Sequence, residues 1–106
     1  MSITTTLALA LAASVFGHPC SVNVQWAPLA SPLLAEADVE RCLITVNRRG
    51  ALDWRDRDPA KYMTIILHEY GHLAGLGHST NPNSVMYPEY LRPDPRCVRV
   101  ARLLEK

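Results

Sequence analysis

At 106 residues, with 48% hydrophobic and 20% charged residues, the chain has the material for one globular domain with a modest core. No apolar run approaches the roughly 20 residues needed to cross a bilayer, so a membrane span is not expected. The net charge of +1 hides an asymmetry: residues 1–40 hold three acids and no Lys or Arg, while all eleven basic residues follow, against seven acids. That surplus is small and lacks a basic-aromatic stripe, which argues against a nucleic-acid partner.

The first seventeen residues, MSITTTLALALAASVFG, admit two readings. One is a helix with a threonine cap near Thr4 to Thr6 and Gly17 ending it. The other is a signal peptide with an apolar stretch from Leu7 to Ala13 but no basic residues before it. Ser21 to Trp26 alternates Val22, Val24 and Trp26 with polar neighbours and predicts a first strand. Residues 27–41 contain Pro28 and Pro32, and predict a loop carrying at most a helical turn. Cys42 to Val46 predicts a second strand, followed by turn material at Asn47 to Gly50. Trp54 falls in a charged loop that ends at Asp58-Pro59, a capping residue before a proline at the first helical position. From Ala60 to about Gly75 the sequence is apolar on nearly every side and predicts a buried central helix. A second Asp-Pro pair at Asp94-Pro95 starts a C-terminal helix with Cys97, Val98, Ala101, Leu103 and Leu104 on its apolar face. Cys20, Cys42 and Cys97 make an odd count without metal-ligand spacing, leaving one disulfide and buried free thiols both open.

The central helix carries the chemistry. HEYGHLAGLGH, residues 68–78, holds three of the four histidines. Residues four apart share a helix face, so His68 and His72 present two imidazoles to one point. His78 lies too far along to share that face unless the chain turns back. Gly75 permits the turn because glycine adopts the left-handed conformation without a Cβ clash. Three nitrogen ligands with a fourth position open is the arrangement of a catalytic zinc site. Glu69, about 100° round the helix from His68, is placed beside such an ion to take a proton from water and return it to a leaving amine. His18, between Gly17 and Pro19, has no ligand partner in sequence.

HEYGHLAGLGH followed by SVMYP, Ser84 to Pro88, resembles the zinc-binding consensus and methionine turn of the metzincin metalloproteases. Ser79 directly after the third histidine and the SVMYP wording are most similar to the matrixin-type branch. The resemblance implies a zinc-dependent endopeptidase with one catalytic Zn2+. His68, His72 and His78 would be the ligands, Glu69 the general base and Met86 the residue beneath the metal. Tyr87 and Pro88 would begin the wall of the substrate pocket. It further implies a protein or peptide substrate, bound by strand addition to a sheet edge that the sequence does not identify.

The expected architecture is α+β: a minimal metzincin-like domain over residues 1–106, with a small mixed sheet packed on the zinc-binding helix between an N-terminal and a C-terminal helix. A monomer with no membrane partner is expected, and export is what the resemblance favours. The rival reading is a zinc-stabilised module that binds peptides without cleaving them. Glu69 argues against it, since a purely structural zinc site needs no base.

Overall fold

The computed structural model describes residues 2–30 and 32–105. Helix α1, Ile3–Phe16, is capped by Ser2, whose hydroxyl accepts from the Thr5 N–H at 3.1 Å. The cap thus lies ahead of the expected threonines. Thr4 and Thr5 are inside the first turn and buried, with Thr5 Oγ1 2.8 Å from the Tyr62 hydroxyl. Gly17 ends α1 at φ 82°.

Three strands follow: β1 (Asn23–Ala27), β2 (Ala35–Asp38) and β3 (Leu43–Asn47). They form one sheet in the order β1-β3-β2, with β1 parallel and β2 antiparallel to β3. β2 corrects the expectation of a loop over residues 27–41. Ala-Glu-Ala-Asp has little intrinsic strand preference, and the segment is extended because it pairs with β3, Ala35 opposite Val46 and Asp38 opposite Leu43. The central strand β3 has Ile44 and Val46 fully buried. On its other face Thr45 accepts a hydrogen bond from the Gln25 side chain at 3.0 Å. Cys42, expected inside this strand, instead precedes it at φ 51° and is joined to Cys20 by a disulfide. Cys97 is a buried free thiol.

The charged segment around Trp54 is also more ordered than a loop. A 3-10 turn at Ala51–Asp53 runs into a short helix, α2, Trp54–Arg57. Helix α3, Pro59–Leu73, begins as the Asp-Pro signal predicts, with the Asp58 carboxylate accepting from the Lys61 N–H at 3.3 Å. Tyr62, Met63, Ile66 and Leu67 are fully buried, as an all-round apolar helix requires. The final helix, α4, spans Pro95–Ala101, and the Leu103-Leu104 pair falls in a 3-10 turn at Arg102–Glu105. Leu103 is exposed there, so the C-terminal apolar face is shorter than its sequence suggested.

α3 packs against β2 and β3 of the sheet and against α1, α2 and α4. The architecture is α+β, a small mixed sheet on a central helix flanked by an N-terminal and a C-terminal helix. Two buried hydroxyls fix α1 to α3: the Tyr62–Thr5 pair and the Tyr70 hydroxyl, which donates to the Gly17 carbonyl at 2.7 Å.

Candidate metal centre and substrate cleft

The last turns of α3 carry His68, Glu69 and His72. The helix ends at Leu73. Gly75 then takes φ 94°, and its N–H bonds the His72 carbonyl while the Leu76 N–H bonds that of Gly71, both at 3.0 Å. This left-handed exit is what a glycine supplies at a helix C-terminus. The chain doubles back and brings His78 to the other two histidines, and one ligand atom from each lies within 4.8 Å of the others. Among the described residues this is the one such cluster, and His18 is not part of it.

Hydrogen bonding orients two of the rings. His68 Nδ1 is 2.7 Å from the Val85 carbonyl, and His72 Nδ1 is 2.8 Å from that of Leu76. A carbonyl only accepts, so each Nδ1 carries the proton and each Nε2 presents a lone pair. Those two Nε2 atoms face one another at 3.2 Å. Two lone pairs so close repel unless a cation or proton lies between them. Burial holds His68 below its ordinary pKa despite the Val85 carbonyl. Three imidazoles of which two are oriented by backbone carbonyls fit a zinc ion, with a fourth position open.

Glu69 is buried in the same cleft, only 9% exposed. Burial pushes its carboxyl up to about 7, opposed by the His72 charge and aided by that of Glu36. A carboxyl poised near neutrality is suited to proton transfer.

The segment beyond His78 closes the floor. The Met86 N–H bonds Ser84 Oγ at 3.1 Å, and the Met86 carbonyl accepts from the Ser79 N–H at 2.9 Å, next to His78. Met86 is buried against α3, where Gly71 makes room for it: a Cβ on Gly71 would lie 2.4 Å from Met86 Sδ. Sequence reasoning passed over Gly71, although a glycine inside an otherwise apolar helix was a visible signal of close approach.

A cleft of about 700 Å³ opens beside the histidines. It is lined by β2 with the residues before it, Leu33 to Ala37, and by Val85 and Tyr87 to Tyr90. Tyr87 and Pro88 line it. β2 is one of the two edge strands, paired among the described residues with β3, and Ala35, Glu36 and Ala37 bring it to the cleft. Its approach is pinned by Asn47, whose side chain donates to the Leu33 carbonyl at 2.7 Å and accepts from the Leu29 N–H at 3.2 Å. Nothing in the sequence distinguished Asn47 from ordinary turn material. Trp54 also lines the cleft, whereas Trp26 packs against the core.

The sequence profile of the matrixin family matches residues 29–102, which include both strands of the β2–β3 pair, the histidine helix and the Met86 segment. The chain belongs to the matrixin family. Matrixins are zinc-dependent metalloproteases, and the three-histidine cluster is the part of this matrixin able to hold the ion. Human matrilysin is 49% identical over 41 residues, covering 39% of this chain and 15% of the relative. Human matrix metalloproteinase-25 is 40% identical over 50 residues, covering 45% of this chain and 9% of the relative. Rat macrophage metalloelastase is 46% identical over 37 residues, 35% of this chain and 8% of the relative. The similarity therefore spans at most about a seventh of these relatives' lengths. No solved structure matches the chain.

Proposed function

We propose that this matrixin is a zinc-dependent endopeptidase, with His68, His72 and His78 as the metal ligands and Glu69 as the general base. The observation that carries the reading is the convergence of three histidine ligand atoms within 4.8 Å beside a buried carboxyl in an open cleft. Zinc bound there would supply Lewis acidity, polarising a carbonyl and lowering the pKa of water. Glu69, buried in the cleft beside the histidines, takes the proton of the attacking water and delivers it to the departing amine. The Val85 and Leu76 carbonyls hold His68 and His72 in the required tautomer. The free edge of β2 pairs with an extended peptide, aligning its backbone along the cleft. Tyr87 and Pro88 bound the space for the side chain following the cleaved bond.

The test is zinc stoichiometry together with cleavage of a mixed peptide library by the wild type and by Glu69→Ala. One zinc per chain in both is expected, with cleavage by Glu69→Ala reduced roughly a hundred- to ten-thousand-fold. Zinc in both proteins with cleavage by neither would make the chain a peptide-binding module. A wild type that takes up no zinc would overturn the metal assignment itself.

A further inference from the structure

The cleft continues along α3 well beyond the histidines. Lys61, Thr64, Ile65, His68 and His72 all line it, at spacings that keep them on one helix face. Lys61 precedes His68 by seven residues, which places it roughly 10 Å farther along the helix axis. Its Nζ lies 3.5 Å from the centre of the Trp54 ring and 4.9 Å from that of Tyr90. Both rings belong to the cleft wall, Trp54 from α2 and Tyr90 from the segment after Met86. The far end of the cleft is therefore a lysine held between two aromatic faces.

The aromatic faces stabilise the ammonium without neutralising it. Among the described residues none of the ion pairs includes Lys61. Asp58, one turn earlier, is engaged with the Lys61 backbone N–H. Asp94, which also lines the cleft, is bound to the Arg96 guanidinium at 2.9 Å. The surroundings nearer the histidines include Leu33, Ile65 and Val85. Among the described residues Lys61 is thus a cation in no ion pair, in a cleft that also carries Glu36, Glu69, Glu89 and Arg92.

We infer that Lys61 is a specificity-determining residue, selecting a long side chain that ends in a carboxylate at the substrate position entering this cleft. The inference rests on the peptidase reading for where the substrate lies. Reach follows from the geometry: on a helix the side chain leans towards the N-terminus, so the ammonium is at least as far from the histidines as its Cα. A short acid stops before it, and a longer one meets it. The intervening methylenes pack on the apolar walls.

The experiment uses peptides identical except at the position after the cleaved bond. There they carry glutamate, aminoadipate or aminosuberate, in order of reach, each against a neutral aliphatic residue of equal length. Both kcat/KM and affinity are measured, affinity by tryptophan fluorescence, since Trp54 lies directly on Lys61. In the wild type the carboxylate peptides are preferred, most strongly at the longer lengths. Lys61→Met lowers the carboxylate-to-neutral ratio about three- to tenfold, the scale of a partly exposed charge pair, and Lys61→Arg keeps it. A ratio unchanged by Lys61→Met at all three lengths overturns the inference. If the neutral peptides are cleaved and the ratio does not move, the peptidase reading stands without it. If nothing is cleaved but the affinity ratio falls in Lys61→Met, the recognition stands and the cleavage reading fails.

Discussion

Gly71 shows how much one missing methyl group can position. Alanine is favoured over glycine inside a helix by about 1 kcal/mol, so a glycine in the last turn of α3 carries a cost unless something uses the space. Here Met86 Sδ does, and a Cβ would intrude to 2.4 Å from it. Gly71→Ala is expected to destabilise the protein by about 0–2 kcal/mol, the overpacking cost less the helix gain. In a Met86→Ala background the clash is absent, and the same change should be neutral or stabilising by up to about 1 kcal/mol. Denaturant unfolding of the four proteins checks this, and additive effects would mean that Met86 is not what excludes a side chain at position 71. The histidines and Glu69 were legible in the sequence because their roles follow from helix periodicity and residue chemistry, both local. Asn47 and Lys61 were not, because their importance lies in partners on other elements: Leu29 and Leu33 for one, Trp54 on α2 and Tyr90 for the other.

At the scale of elements, the start of α4 is tied to the histidine helix. The Asp94 N–H donates to Thr64 Oγ1 at 2.9 Å, and that hydroxyl donates in turn to the Ala60 carbonyl at 2.7 Å. Asp94 also caps α4, accepting from the Arg96 N–H, and pairs with the Arg96 guanidinium. Burial alone would raise the Asp94 carboxyl, but the Arg96 hydrogen bonds and the charges of Arg96 and Arg99 outweigh it and hold the group below its ordinary value. A carboxylate lowered in this way adds stability above its unfolded pKa, near 4, and that stability is lost as the pH falls through the folded value. Asp94→Asn keeps an acceptor for the cap but no charge, so its stability should fall less steeply than that of the wild type below about pH 4. Asp94→Ala also loses the cap, at about 1 kcal/mol near neutral pH. Urea midpoints between pH 7 and pH 3 separate the two effects, and parallel acid limbs for wild type and Asp94→Asn would show that Asp94 does not contribute to the slope.

Helix starts were the elements most legible from sequence: both Asp-Pro pairs cap helices where predicted. β2 was hidden because alanine and acidic residues carry no strand signal, and only pairing with β3 extends them. The short α2 was hidden for a related reason. Its four residues are too few to show a period, and its register is set by packing on α3.

For the molecule as a whole, a chain of this size has little core to spare. The Cys20–Cys42 disulfide joins the segment after α1 to the start of the central strand across 22 residues. By loop-closure entropy a link of that length contributes about 3 kcal/mol. Replacing both cysteines with serine should lower the thermal midpoint by roughly 10–20 °C, read by calorimetry. The three histidines lie outside the linked loop, so metal stoichiometry measured below the lowered midpoint should be unchanged. Loss of metal in that folded variant would show that the link also shapes the centre.

What the sequence alone determined is local: the histidine spacing, the carboxyl beside it, the glycine that turns the chain back, the caps of α3 and α4 and the family these residues mark. Each is fixed by backbone geometry over a few residues, so the order of side chains suffices. What only the tertiary structure decided is non-local: which strand forms the open edge, which two cysteines pair, what fills the space at Gly71 and where the cation at the end of the cleft finds its aromatic faces. These depend on contacts between separate segments of the chain, from 7 residues apart for Lys61 and Trp54 to 29 for Lys61 and Tyr90, formed when the shared core is buried, and no local pattern records them.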